Sequence, residues 1–304
     1  MPHAQALRQP VDATAASLML LLCFCWGFTH VVAKLTVPGV SLVMQSGLRS
    51  AIATVLLLVW ARRRGVPLFA HDGTLGPGLI AGALFAGEFW FIYTGLAWTG
   101  ASRMVVFVYL APCLTALGLH WFLPSERLST LQWAGVLLAF AGVAIAFADG
   151  FASDRASLLG DAFGIIAAAL WAATTVVIRA TRLGGIGAAK TLFYQLAVSA
   201  AVLPVASLLM GEAGIVTLTP LVVASLLYQG GIVAFASYLA WFWLLTRYLA
   251  ARLSVFAFLT PLFGVAAGVV VLGEPLRAVF VAGVVLVGAG IYLVNRPPRG
   301  HGSR

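Results

Sequence analysis

The sequence predicts an all-α integral membrane protein with ten transmembrane helices in two inverted five-helix repeats. Three observations predict it. Of 304 residues, 62% are hydrophobic and only 9% are charged, with a mean hydropathy of +1.03, whereas a soluble domain carries about 25% charged residues. The apolar residues fall in runs near the ~20 residues that cross a hydrocarbon core of ~30 Å. The pattern of the first half also recurs in the second at an offset of 148–149 residues.

Taken in order, the expected spans are 15–34, 40–60, 76–98, 101–122, 131–149, 158–179, 190–210, 220–245, 250–272 and 278–294. The first run, Ala15 to Ala33, is too long for a cleavable signal peptide, and no small-residue cleavage site follows it. Turn and charge signals separate the runs: Pro38-Gly39, Arg62 to Pro67, Pro124 to Arg127, Asp149 to Arg155, Gly184 to Gly187 and Gly273-Glu274-Pro275. Connections this short force neighbouring helices to be antiparallel. Strands are not expected, because alternation of period two is missing and the runs have helix length. The chain divides into a cytoplasmic segment 1–14, a first repeat 15–149, a second repeat 158–295 and a basic tail 296–304.

With ten antiparallel spans, thirteen Lys and Arg fall on the face that carries both termini, among them Arg62, Arg63 and Arg64. Four fall on the other face: Lys34, Arg103, Arg155 and Arg277. Arg49 lies within a span. This asymmetry predicts cytoplasmic termini in an inner membrane of bacterial type. It also explains the net charge of +9 without nucleic acid, since the basic residues sit at the ends of apolar runs. Cys23, Cys25 and Cys113 all lie within apolar runs and read as small core residues, not as a disulfide framework or a metal site.

The repeat is explicit in places. Tyr109-Leu110-Ala111-Pro112 matches Phe258-Leu259-Thr260-Pro261, and Glu126-Arg127-Leu128 matches Glu274-Pro275-Leu276. Ala101 and Phe107 match Ala250 and Phe256, Gly135 and Gly142 match Gly283 and Gly290, and Trp26 matches Trp171. A unit of five spans is odd, so its second copy enters the membrane from the opposite side. Inverted repeats of this kind serve alternating access in many secondary transporters.

Trp26-Gly27 in the first span, Pro112 and Pro261 within later spans, and Glu126 and Glu274 after the fourth and ninth resemble the drug/metabolite transporter superfamily, in its EamA-type branch. The resemblance runs from about residue 15 to 295 and implies ten helices in two repeats. Within that branch the aromatic character is most similar to the bacterial amino-acid exporters of the YddG type. That implies a secondary transporter exporting aromatic and other neutral amino acids through a central cavity, with other metabolites or cationic drugs as the alternative. The expected partners are a small-molecule substrate and the bilayer, with the monomer as the working unit and no cofactor.

Charged groups at mid-membrane are functional candidates because they are costly there. Glu88 is expected to bind a substrate ammonium or to carry a proton, with a structural pair to Arg49 as the alternative. For Arg49 itself, charge compensation or snorkelling is favoured over capture of a carboxylate. His30 is a further candidate; His120, near a span end, reads as interfacial. Trp26, Tyr109 and Trp171 lie near mid-span, and the repeat makes the two indoles symmetry mates expected to face one cavity. Phe91 follows Glu88 by one helical turn. Tyr228, Gln229 and Tyr238 bring polar tips into the eighth span, either to the cavity or to bonds between helices. Pro112 and Pro261 are candidate hinges, since each removes a backbone donor. Trp60, Trp98, Trp121 and Trp133 sit near span ends and fit an interfacial belt.

Enzymes and channels fit less well. Asp161 at a span end has no second Asp for an aspartyl protease, and no Gly-x-Ser-x-Gly, His-Glu-x-x-His or phosphate-binding loop occurs. Glu88 alone supplies no selectivity ring.

Overall fold

Asp12 accepts a hydrogen bond from the Ala15 amide at 2.8 Å and starts the first helix, Ala13–Thr36. The computed structural model describes residues 9–96, 98–99, 101–148, 158–272 and 278–296. Span 2 is Leu42–Arg64 and span 3 is Leu75–Gly95. Span 4 is Ala101–Val108 continued by Ala111–Phe122, and span 5 is Thr130–Ala146. Span 6 is Leu158–Ala180 and span 7 is Ala188–Leu209. Span 8 runs from Pro220 to Arg247, span 9 from Ala250 to Leu272, and span 10 is Ala278–Asn295. Among the described residues, nine of these have the length and hydropathy to cross a membrane, and span 5 is an apolar helix of 17 residues, still within the usual range.

Local chemistry sets the ends. Span 2 begins where Glu212 accepts from Ser41 Oγ at 2.9 Å and from the amides of Val43 and Met44 at 3.3 Å each. That places a carboxylate on the positive end of a helix. Span 2 stops at Gly65, whose φ of 66° suits only a residue without Cβ, directly after Arg62–Arg64 on the negative end. Ser129 and Gln132 form a capping box at span 5, and Gln132 Nε2 also donates to the Val294 carbonyl of span 10 at 2.9 Å. On the face that carries Arg62–Arg64, Lys190 bonds Asp72 and the Ala70 carbonyl, each at 2.7 Å, clipping the loop after span 2 to the start of span 7. This bond holds the Asp72 carboxyl at about 2.

Among the described residues, three spans depart from plain helix. Span 4 turns at Tyr109-Leu110, and Pro112 sits in the first turn of the restarted helix, where its missing donor is harmless. Span 9 passes through a 3-10 segment, Val255–Phe258, before Leu259 restarts the α-helix that contains Pro261. Each break therefore falls just ahead of the proline, at equivalent points of the two halves. Cys23 fastens the second break, donating from Sγ to the Phe256 carbonyl at 3.2 Å. Span 8 was expected to be an ordinary helix. Instead Tyr228–Ser237 is a π-helix. Gly230 in that stretch lies so close to span 2 that an added Cβ would stand 2.7 Å from Ile52 and 3.2 Å from the Arg49 carbonyl.

The packing is symmetric under exchange of each span with the one five places on. Span 1 packs on span 9 as span 6 packs on span 4, and span 3 on span 6 as span 8 on span 1. Spans 2 and 7, and spans 5 and 10, pair with their own counterparts. In the last pair the repeated glycines cross over. A Cβ on Gly135 would lie 2.8 Å from the Gly290 carbonyl, and one on Gly283 would lie 2.6 Å from that of Gly142. Crossed contacts between equivalent residues are what a two-fold relation produces; two repeats related by translation would not make them. Glu274, Arg8, Arg155, Arg277, Arg299 and Arg304 lie outside the described residues.

These contacts carry a first prediction. Gly142→Leu would drive a side chain into the Gly283 carbonyl and Val287, contacts with no flexible neighbour to yield. Overpacking of this kind costs about 1–3 kcal/mol. We expect a thermal midpoint lowered by several degrees in detergent, with Gly288→Leu, which meets open space, unchanged.

Candidate functional site

The centre of the bundle holds a cavity of about 510 Å³. Its walls come from the spans that the inverted repeat places around the axis. Trp26 of span 1, Glu88 of span 3, Tyr109 of span 4, Trp171 of span 6, Tyr238 of span 8 and Pro261 of span 9 all line it. Six of the residues singled out in the sequence are thus brought together, although their separations along the chain reach more than two hundred residues.

Each aromatic is held by its neighbours. The Trp26 indole donates to Ser237 Oγ at 2.8 Å and meets Tyr238 and Trp241 edge-on, with ring centroids 6.2 and 5.9 Å away. Trp171 meets Tyr109 edge-on at 5.8 Å. These are favourable aromatic geometries, and they leave rigid apolar walls on both halves of the molecule. Phe85, Phe89 and Tyr93 add a stripe at four-residue spacing along span 3, with centroids 5.0 and 6.3 Å apart in sequence order.

Two opposite charges face the same space. Glu88 is 7% exposed and Arg49 is 3% exposed. Arg49 is seven residues from the start of span 2, and Glu88 is seven residues from the end of span 3. Those ends lie on one face of the bundle, so both charges sit at a similar depth, about 10 Å in at 1.5 Å per residue. The expected alternative of a structural ion pair is not formed, since no salt bridge within 4.0 Å joins them among the described residues. Snorkelling fails as well: the Arg49 guanidinium lies over the Phe89 ring, 4.1 Å from its centroid, and lines the cavity.

The cavity is closed at one end. Its lining reaches Val37, Leu42, Leu96 and Phe147, at the ends of spans 1, 2, 3 and 5 remote from Arg62–Arg64. Towards the face that carries those arginines it stops at Ile178 and Phe242. Below them Leu119, Leu183, Leu192, Leu244 and Leu253 are fully buried. Within this seal Glu126 Oε1 accepts from Arg179 Nε at 3.0 Å and from Nη2, while Oε2 accepts the Ala251 amide at 3.1 Å. Arg179 Nη1 also reaches the Leu245 carbonyl at 3.4 Å. Glu126 therefore binds spans 6 and 9 to the end of span 4.

The expectation for Phe91 is corrected. Phe91 does not line the cavity. It packs on Trp90 and Phe163 at 4.9 and 5.2 Å, because the cavity stripe of span 3 runs through residues 85, 88, 89, 92 and 93 and leaves position 91 on the flank. Gln229 is fully buried between spans, donating to Thr36 Oγ1 at 3.2 Å and Gln45 Oε1 at 3.4 Å. Tyr228 donates to the Cys25 carbonyl at 3.1 Å. Both residues thus bond between helices, outside the cavity. Pro112 is buried away from the lining, unlike Pro261. The His30 side chain lies outside the described residues. His120 stacks edge-on with Trp133 at 6.1 Å. Asp161 is paired to Arg103, with Nε to Oδ1 at 3.1 Å.

Sequence reasoning undervalued Arg49 and missed Phe85, Phe89, Tyr93 and Trp241. The four-residue spacing of aromatics around Glu88 was the available signal for the first three. Nothing local marked Trp241.

Comparison with known proteins agrees with this architecture. The pattern of the EamA-like transporter family matches twice, over residues 13–148 and 158–296. A protein of Salmonella typhimurium described as a probable amino-acid metabolite efflux pump is 27% identical over 286 residues, covering 91% of this chain and 93% of that one. An Escherichia coli protein with the same description is also 27% identical over 286 residues, with the same coverage. An uncharacterized transporter of Bacillus subtilis is 26% identical over 290 residues, covering 95% and 94%. A solved crystal structure superposes with a TM-score of 0.78 at 20% identity over 93% of this chain and 96% of its own, a likeness of fold. Two family matches that together span nearly the whole chain make this protein a multi-pass membrane transporter of the EamA-like transporter family.

Proposed function

We propose that this chain exports aromatic and other neutral amino acids by alternating access, as a YddG-type member of its family. The observation that carries the reading is the central cavity, in which Glu88 stands among the rings of Trp26, Tyr109, Trp171 and Tyr238. Aromatic walls suit an aromatic or thioether side chain. The carboxylate suits its ammonium group, which would otherwise lose hydration without recompense. The relatives described as amino-acid metabolite efflux pumps support the substrate class.

With the arginine-rich face in the cytoplasm, the cavity opens outward and the Glu126–Arg179 seal closes the cytoplasmic side. Exchange of the two halves about their two-fold axis then supplies the opposite state. The breaks ahead of Pro112 and Pro261 serve as its hinges. The deciding experiment is flux of phenylalanine, tryptophan, methionine and alanine in proteoliposomes of the purified protein. Saturable movement of the aromatic substrates is expected; no movement of any neutral amino acid would overturn the reading. For topology, reporter fusions after residues 68, 125 and 299 should all read cytoplasmic. A periplasmic signal at 299 would contradict ten spans.

A further inference from the structure

Arg49 is a buried cation with unused donors. It is 3% exposed, and its Nε and Nη2 are buried with no hydrogen-bond partner. Tyr238 is a side-chain hydrogen-bond partner of the guanidinium, and Glu88 and Tyr93 interact with it electrostatically, but of the five donors that a guanidinium carries those on Nε and Nη2 stay unused, and buried donors without acceptors are costly. At a depth of about 10 Å it cannot reach the headgroups, and no salt bridge within 4.0 Å joins it to Glu88. Phe89 covers the guanidinium on one side at 4.1 Å. That contact restrains the cation without using any N–H.

We infer that Arg49 is the carboxylate subsite of the cavity, an inference that rests on the amino-acid reading above. Arg49 and Glu88 then form a net-neutral pair at a similar depth, each a partner for one end of an α-amino-acid zwitterion. The side chain points deeper, towards Trp26, Trp171 and Tyr238. Two fixed charges of opposite sign that form no salt bridge with each other favour a zwitterion over an amine, because an amine would leave the Nε and Nη2 donors of Arg49 unused. This assigns Arg49 the capture of a carboxylate, which the sequence reading set below charge compensation or snorkelling.

The test compares binding of phenylalanine and phenylalaninamide, which keeps the ammonium and the ring but lacks the carboxylate. Isothermal titration in detergent should show the wild type preferring phenylalanine. Arg49→Gln should weaken phenylalanine about 10- to 100-fold, the effect of losing hydrogen bonds to a charged group, while phenylalaninamide changes by less than about twofold. Arg49→Lys keeps the charge and covers the case in which glutamine disturbs folding; it should retain a reduced preference for phenylalanine. Equal weakening of both ligands, or unchanged phenylalanine binding in Arg49→Gln, would overturn the subsite alone. A wild type that binds no neutral amino acid would overturn the amino-acid reading together with it.

Discussion

Glu88→Gln is expected to lower phenylalanine flux by about 10- to 100-fold with the protein still inserted and folded. The substitution keeps the size and the amide can still accept one hydrogen bond, so the wall of the cavity is preserved. What it removes is the charge that meets the substrate ammonium, and a hydrogen bond to an ionised partner contributes about 1.5–3 kcal/mol, with each 1.4 kcal/mol worth a factor of ten. Trp171→Ala tests the other half of the site. It deletes an indole that packs edge-on against Tyr109 at 5.8 Å, and should reduce aromatic flux about tenfold while affecting alanine less. The measurement is initial efflux from proteoliposomes at matched protein content. Wild-type rates for aromatic amino acids in both variants would sink the assignment of the site while leaving the transporter family intact.

The second large effect is expected at the seal. The side chains of Glu126 and Arg179 are 0% and 2% exposed, so removing one partner strands the other charge in a dry layer. That costs about 3–5 kcal/mol, borne only by the state in which this face is closed. Glu126→Gln should therefore shift the population towards opening on the arginine-rich face. A cysteine placed at Leu253, which is fully buried beneath the cavity, reports the change in a background lacking Cys23, Cys25 and Cys113. Its labelling by a polar maleimide from the cytoplasmic side should rise at least about tenfold with Glu126→Gln. Loss of yield with unchanged labelling would mean that the pair holds the fold and does not gate it.

Opposing charges inside the bundle thus divide into two kinds. Glu126–Arg179 and Arg103–Asp161 are paired and near span ends. Glu88 and Arg49 are unpaired with each other and line the cavity. Buried charges that satisfy one another are weak evidence of function, whereas two opposite charges that line one cavity without a salt bridge leave a role for a third group to complete.

The sequence by itself determined the membrane class, the number of spans and the duplication. Those rest on local quantities: run length, hydropathy and the offset between matching residues. It also picked out Trp26, Glu88, Tyr109, Trp171 and Tyr238, because a polar or aromatic residue at mid-span is conspicuous against an apolar background. Only the tertiary structure decided which of the conspicuous residues meet. Phe91 was placed by a rule of helical spacing, but its face is set by the rotation of span 3 against span 6. Gln229 was polar and central, yet the π-helical stretch beside Gly230 leaves it bonded to Thr36 and Gln45 in the seam. A structural pair of Arg49 and Glu88 was the alternative that adjacent helices allowed, and no salt bridge joins them in the structure. Side-chain direction depends on helix rotation, local winding and packing against distant spans, and none of these is a property of the residues near the position in question.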